Sequence, residues 1–164
     1  MYTTPFWIEG EWPGRLAVSP RPRGGDWLED EMKHWRRERV NAVASLLMPD
    51  EVQEFDLELE RKHCEALGIS FYALQIIDRN APSSTKTARE LIGQLTAELS
   101  ARKNVLVHCR QGIGRAGLIV VAVLMSKGRN LPDAIELVSK ARGREVPETP
   151  EQLAWLRTFA ADFQ

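Results

Sequence analysis

The sequence has little cysteine, almost no net charge and no long apolar run, and each shortage argues against a class of protein. Two cysteines in 164 residues are too few for a disulfide framework, and free thiols suit a reducing compartment. A formal net charge of −1 gives no general basic surface for nucleic acid or for a membrane. The longest uncharged apolar run, Ala116 to Met125, is too short to cross a bilayer, and the first residues lack the pattern of a signal peptide. We therefore expect a cytoplasmic protein with no nucleic-acid or membrane partner.

Hydrophobic patterning predicts one α/β domain over residues 1–164. Short apolar runs predict strands at 6–8, 15–18, 40–48, 69–77 and 104–107. Amphipathic or capped segments predict helices at 27–39, 49–67, 85–102, 118–125 with its flanks, 132–141 and 150–163. Asp26 is predicted to cap the first helix, and Gly68 to end the second. Strands that alternate with helices indicate a mostly parallel central sheet with helices on both faces, in which ligands bind beyond the carboxyl ends of the strands.

One segment carries the strongest chemical signal, Val107-His108-Cys109-Arg110-Gln111-Gly112-Ile113-Gly114-Arg115-Ala116-Gly117. A predicted strand precedes it and a predicted apolar helix follows it, so its glycine-containing loop lies at a helix N-terminus. Successive backbone N–H groups in such a loop bind anions, and the helix dipole adds partial positive charge. Gly112 and Gly114 permit the positive φ angles and close approach that the loop requires. The planar guanidinium of Arg115 can hold two oxygens of a tetrahedral anion.

Cys109, at the base of this loop, is predicted to be a nucleophile. A free thiol has a pKa of about 8.5, and helix N-termini or neighbouring cations lower that value to roughly 3.5–7.5. A thiolate at this position would attack the phosphorus of a phosphate ester held by the loop. Cys64 also follows a histidine, but position 70 is serine rather than arginine, so Cys64 is interpreted as a packing residue. Three scattered histidines predict no metal site.

The segment from His108 to Arg115 resembles the signature loop of the cysteine-dependent protein tyrosine phosphatases, which reads His-Cys-x5-Arg followed by Ser or Thr. The chain is most similar to the compact dual-specificity branch, in particular the kinase-associated phosphatases related to cyclin-dependent kinase inhibitor 3. The resemblance implies that Cys109 is the nucleophile, that Arg115 clamps the phosphate and that His108 supports the cysteine. It implies no cofactor. It also implies a phosphate-binding loop made of Arg110, Gln111, Gly112, Ile113, Gly114 and Arg115.

Ala116 departs from that pattern, because the family usually has a hydroxyl there that helps the sulfur leave in the second step. A slow second step would accumulate the phosphocysteine and produce a kinetic burst. The same departure supports an alternative, a phosphate-binding module that has lost useful catalysis. A rhodanese-like sulfur transferase also holds a cysteine in an anion loop, and turnover of thiosulfate would identify it.

Cleavage of a phosphomonoester also needs a proton for the leaving oxygen, and a positioned acid contributes about 10²–10⁴-fold. Asp78 follows a predicted strand, so it should lie at the carboxyl edge of the sheet on a loop able to move. The run Ile76-Ile77-Asp78-Arg79-Asn80-Ala81-Pro82-Ser83 resembles the mobile acid loop of the dual-specificity phosphatases. Asp50 and Asp56 compete for the role, but Asp50 is interpreted as a helix-start residue and Asp56 as mid-helix.

Three further residues near the C-terminus have two readings each. Gln152 resembles a glutamine that positions the hydrolytic water in several phosphatases of this superfamily, and a surface residue is the alternative. Arg142 and Arg144, like Arg21 and Arg23 near the N-terminus, could steer phosphorylated substrates or be ordinary surface residues. A small domain with few insertions suggests a shallow pocket, so the predicted substrate is a protein carrying phosphotyrosine and phosphoserine or phosphothreonine. The sequence does not indicate which oligomeric state the protein has.

Overall fold

A mostly parallel sheet lies at the centre of the molecule. A computed structural model of the chain describes residues 1–10 and 12–162, and these ranges form five short strands. They run in the order β1-β2-β5-β3-β4, and every neighbouring pair is parallel except β1 with β2. The predicted fold class is therefore confirmed, and β5 is the middle strand. The strands are β1 (Phe6–Ile8), β2 (Leu16–Ser19), β3 (Ala42–Ser45), β4 (Ser70–Ala73) and β5 (Val105–His108).

Helices cover both faces of this sheet. A 3₁₀ turn, Gly25–Trp27, precedes the first of them. No helix within the described ranges is both long and apolar enough to cross a membrane. The helices are α1 (Leu28–Arg37), α2 (Pro49–Glu54), α3 (Glu60–Ala66), α4 (Thr85–Ser100), α5 (Arg115–Ser126), α6 (Leu131–Arg142) and α7 (Pro150–Ala161). Phe163, the predicted end of the last helix, lies outside the described residues.

Two buried clusters pack against the two faces of β5. Successive side chains of a strand point to opposite faces, so Val105 and Val107 enter one cluster and Leu106 enters the other. Every residue of α5 from Ala116 to Met125 is buried. Full burial of one such aliphatic side chain contributes about 1.5–3 kcal/mol. The strand before the cysteine loop and the helix after it are therefore both fixed by the core.

The prediction of a single helix over residues 49–67 is wrong. The chain instead forms α2 and α3 with a break between them, where Asp56 has a left-handed φ of 52°, so its predicted mid-helix position is also wrong. Glu51 in α2 is 7% exposed and Glu60 in α3 is 2% exposed. Residues nine positions apart are about 2.5 turns apart and lie on opposite sides of a straight helix. The break lets both carboxylates point into the protein.

Two smaller predictions also fail. Asp26 lies exposed in the 3₁₀ turn, and α1 follows Trp27 without a side-chain cap. The strand predicted over residues 69–77 ends at Ala73, after which Ile76 is 1% exposed and Ile77 is 59% exposed. Beyond Ala73 the backbone N–H groups of Leu74 and Ile76 still donate to Ser45 and Leu46, and the carbonyl of Ile76 accepts a hydrogen bond from the side chain of Arg115.

Candidate active site

The loop between β5 and α5 places Cys109 at the carboxyl edge of the sheet. Cys109 is 3% exposed, and the backbone N–H of Gly112 donates to its Sγ over 3.3 Å. Gly112 has a φ of 71°, and a Cβ at this position would lie 2.5 Å from the carbonyl carbon of Ser19 at the end of β2. Backbone conformation and the close approach of β2 therefore both require glycine here.

Arg115, the first residue of α5, extends beneath the loop. Its Nη1 and Nη2 donate to the two carboxylate oxygens of Glu51 at 2.7 and 2.9 Å. Nη1 also donates to the carbonyls of Leu46 at 3.4 Å and Ile76 at 2.9 Å. Its Nε is buried and has no hydrogen-bond partner among residues 1–10 and 12–162. A buried donor without a partner is energetically costly. An anion bound beside the cysteine would accept from this N–H and remove that cost.

Burial disfavours the charged forms of Glu51 and Arg115, but the hydrogen bonds and the opposite charges around them favour those forms more strongly. Burial alone would raise the pKa of Glu51, but hydrogen bonds from Arg115 and from the Met48 N–H at 3.0 Å lower that pKa below its ordinary value. Burial alone would lower the pKa of Arg115, but the hydrogen-bonded carboxylate and the nearby Cys109 and Asp78 raise it. Arg115 is thus a cation fixed in one orientation.

Asp78 reaches the same place from the segment after β4. Its Oδ1 lies 3.2 Å from Nη2 of Arg115, and its side chain is 48% exposed. Asp50 and Asp56, both described by the structure, do not line the cavity that these groups form. That cavity has a volume of about 130 Å³ and is lined by Asp78, Arg79, Cys109, Gln111, Gly114, Arg115 and Glu148.

His108 lies fully buried behind the cysteine. Its Nε2 contacts Oε2 of Glu60 at 2.6 Å, and its Nδ1 lies 3.4 Å from the carbonyl oxygen of Cys109. The ring of Trp35 packs against the imidazole with 6.0 Å between centroids. A carboxylate on one side and the cysteine backbone on the other therefore orient the imidazole.

Gln152 is fully buried beside the loop, so it is not the surface residue that one reading predicted. Its Oε1 accepts from the backbone N–H groups of Glu148 and Thr149 at 3.0 and 3.2 Å, which occupies both lone pairs. Its Nε2 donates to the carbonyl of Asn80 at 3.2 Å. Gln152 is not among the cavity-lining residues, whereas Glu148 is. The carboxylate that faces the cavity at this edge is Glu148, whose Oε1 lies 2.6 Å from Nη1 of Arg79.

The other residues singled out in the sequence flank the cavity. Arg142 donates from Nε to the carbonyl of Gly112 at 3.1 Å and from Nη2 to that of Gln111 at 3.0 Å, so it braces the loop. Arg144 is exposed. The guanidinium of Arg110 lies 5.3 Å from the ring centre of Phe55 and does not line the cavity.

Ile113, Ala116 and Cys64 are all buried. Ile113 is 4% exposed and packs in the core. Ala116 is fully buried, and the described part of the chain places no side-chain hydroxyl in a hydrogen bond with Sγ of Cys109. Cys64 packs with its Sγ 3.4 Å from Sδ of Met32, and burial raises the pKa of its thiol. Its interpretation as a packing residue agrees with these contacts.

Sequence reasoning missed three residues that hold the site together, Glu51, Glu60 and Glu148, and it named Arg142 without its contacts to the loop carbonyls. Glu51 had a usable signal, since it lies in the first turn of a helix that starts where a parallel strand ends. Glu60 had none, because its burial depends on the break between α2 and α3.

Comparison with known proteins agrees with this geometry. A family model described as dual specificity phosphatase, catalytic domain, matches residues 42–162. Dual specificity protein phosphatase 1B of Arabidopsis thaliana is 30% identical over 95 residues, which span 57% of this chain and only 56% of that protein. Among solved structures, Tk-PTP in the active form is 28% identical, with 96% of each chain covered and a TM-score of 0.78.

A further solved structure supports the fold alone. Kinase associated phosphatase with its catalytic site cysteine changed to serine gives a TM-score of 0.88 at 16% identity, covering 99% of this chain and 96% of that chain. The resemblance drawn from the cysteine loop is thus confirmed, and the chain belongs to the dual specificity phosphatase catalytic-domain family.

Proposed function

We propose that the chain hydrolyses phosphomonoesters on proteins through a phosphocysteine intermediate. The observation that carries this proposal is the buried, unpartnered Nε of Arg115 in a cavity shared with the Cys109 thiol. A phosphate group has the charge and the oxygen geometry to use this donor together with the loop amides.

In the first step the thiolate of Cys109 attacks phosphorus, and the bond from phosphorus to the ester oxygen breaks. Arg115 and the loop N–H groups stabilise the negative charge on the other phosphoryl oxygens. Asp78, at the mouth of the same cavity, gives its proton to the leaving oxygen.

In the second step water attacks the phosphocysteine and the phosphorus–sulfur bond breaks. Asp78, now ionised, accepts a proton from that water, and inorganic phosphate and the thiolate are released. Both lone pairs of Gln152 Oε1 are occupied, so we assign no contact between this oxygen and the water.

Family membership supports phosphorylated proteins as substrates, with both phosphotyrosine and phosphoserine or phosphothreonine accepted. Two free cysteines support a cytoplasmic location.

The test is turnover of an aryl phosphate and of phosphopeptides by wild type and Cys109→Ser. We expect wild type to release phosphate and to form a phosphorylated cysteine during turnover. Cys109→Ser should bind phosphate without turnover. Hydrolysis by Cys109→Ser at the wild-type rate would refute the proposal.

The second candidate is a phosphate-binding module with little catalysis, and Ala116 is the observation that favours it. No hydroxyl assists departure of the sulfur, so the phosphocysteine could persist. Rapid mixing separates the two candidates, because a burst followed by slow steady turnover indicates an enzyme limited by its second step. Phosphate binding with neither a burst nor steady turnover indicates a binding module.

A further inference from the structure

We infer that Gln152 is a positioning residue that holds the general acid over the cavity. Two segments matter here: the acid loop, residues 78–80, and the α7 turn, residues 148–152. This inference rests on the proposed function, because Gln152 would act through Asp78.

Three contacts join the acid loop to the α7 turn. Nε2 of Gln152 donates to the carbonyl of Asn80 at 3.2 Å, and Oγ1 of Thr149 donates to the carbonyl of Arg79 at 3.1 Å. The guanidinium of Arg79 pairs with Glu148 at 2.6 Å. Two of the three contacts hold backbone carbonyls directly after Asp78, so they fix the direction of the chain that carries the acid.

Gln152 is the residue on which these contacts depend. Its Oε1 holds the N–H groups of Glu148 and Thr149 and thereby shapes the turn that carries the other two contacts. A Cβ on Gly114 would lie 3.0 Å from Nε2 of Gln152, so this amide also packs against the phosphate-binding loop. One buried side chain therefore sets the acid loop and the phosphate-binding loop relative to each other.

The variant Gln152→Glu separates this function from a structural one. Glutamate retains both acceptor contacts and the Thr-x-x-Glu pattern of a capping box, so α7 should keep its first turn. It loses the donor to Asn80 and places a carboxylate against that carbonyl. Glu151→Gln, an amide-for-carboxylate change at the exposed neighbouring position, is the matched control.

The readout is kcat/KM for two aryl phosphates, phenyl phosphate with a poor leaving group and 2,4-dinitrophenyl phosphate with a good one. Displacement of a catalytic group by about 1 Å can cost up to about 10²-fold. We expect Gln152→Glu to lose about tenfold on phenyl phosphate and less than about twofold on dinitrophenyl phosphate, since only the first needs a proton from Asp78. Glu151→Gln should match wild type on both substrates.

Two comparisons make the result decisive. In an Asp78→Asn background Gln152→Glu should cost nothing further, because the acid it positions is absent. Independently of activity, trypsin should cleave after Arg79 faster in Gln152→Glu than in wild type, because the acid loop is released. Equal losses on both substrates, no loss, or unchanged cleavage after Arg79 would overturn the inference.

Failure of the proposed function would look different. If Asp78→Asn itself showed no preference for the good leaving group, the acid assignment and this inference would both fall. If Asp78→Asn showed that preference and Gln152→Glu did not, only the inference would fall.

Discussion

Changing Glu51 to glutamine tests how firmly the buried ion pair holds Arg115. Glutamine keeps the shape and one acceptor but removes the charge opposite a guanidinium whose side chain is 1% exposed. Removing one partner of a buried ion pair costs about 3–5 kcal/mol of unfolding free energy. We expect a loss of about 3 kcal/mol here, because the carbonyls of Leu46 and Ile76 still accept hydrogen bonds from the guanidinium. At roughly 2–4 °C per kcal/mol for a domain of this size, the Tm should fall by roughly 6–12 °C.

The assay is thermal and urea unfolding of the purified variant at neutral pH beside wild type. Glu29→Gln is the control, because its carboxylate pairs with Lys33 on the exposed surface of α1 at 2.9 Å and its loss should leave the Tm unchanged. Glu51→Leu combined with Arg115→Met should recover part of the loss, since an apolar pair leaves no uncompensated charge. A fall in Tm of less than about 2 °C for Glu51→Gln would refute the reasoning.

The pH dependence of the same measurement has a definite sign. The folded pKa of Glu51 lies below its unfolded value of about 4.3, so the pair stabilises the fold above that pH. The contribution is lost as the pH falls through the folded pKa. The difference in unfolding free energy between wild type and Glu51→Gln should therefore be smaller at about pH 3 than at about pH 7.

Three other changes have defined outcomes. Burial would raise the pKa of the fully buried Glu31, but hydrogen bonds from Thr3 and Arg23 lower it, so Glu31→Gln should reduce the unfolding free energy by about 1–3 kcal/mol at neutral pH, with a smaller effect in acid. Urea unfolding at both pH values measures this. Ala116→Ser should raise kcat and shrink the burst by supplying a hydroxyl to the leaving sulfur, and stopped-flow mixing follows both. Arg142→Leu should raise the KM for an aryl phosphate several-fold, because it releases two loop carbonyls and lets the phosphate-binding loop shift, whereas Arg144→Leu should leave the KM unchanged.

Local signals were sufficient to predict the cysteine loop and its two flanking elements. An apolar run, two glycines and a second apolar run specify strand, loop and helix without distant contacts, and the structure forms β5 and α5 there. The rule that carboxyl ends of parallel strands share one edge of the sheet predicts the edge at which Asp78 lies, although β4 ends at Ala73 and not directly before Asp78.

The parts that could not be predicted depend on contacts between distant segments. The segment 49–67 has helical composition, with proline only at its first position and no glycine, but the chain forms two helices there and places Glu51 on Arg115 and Glu60 on His108. The sequence around Gln152 predicts a helix start and leaves two readings for this side chain, a residue that positions water and a surface residue. Its burial and its bond to Asn80 arise only when two loops about 70 positions apart in the chain meet.

The close approach of β2 to Gly112 has a consequence for where the functional unit begins. Asp78, Cys109 and Arg115 all lie inside the stretch that the family model matches, which starts at residue 42. Yet β2 is hydrogen-bonded along β5, and the backbone of Arg21 donates to the carbonyl of Arg110. A fragment trimmed to residues 42–162 would retain every group assigned to the chemistry while uncovering one whole side of its middle strand. We expect such a fragment to aggregate, because the first 41 residues cover one edge of β5 and support the cysteine loop.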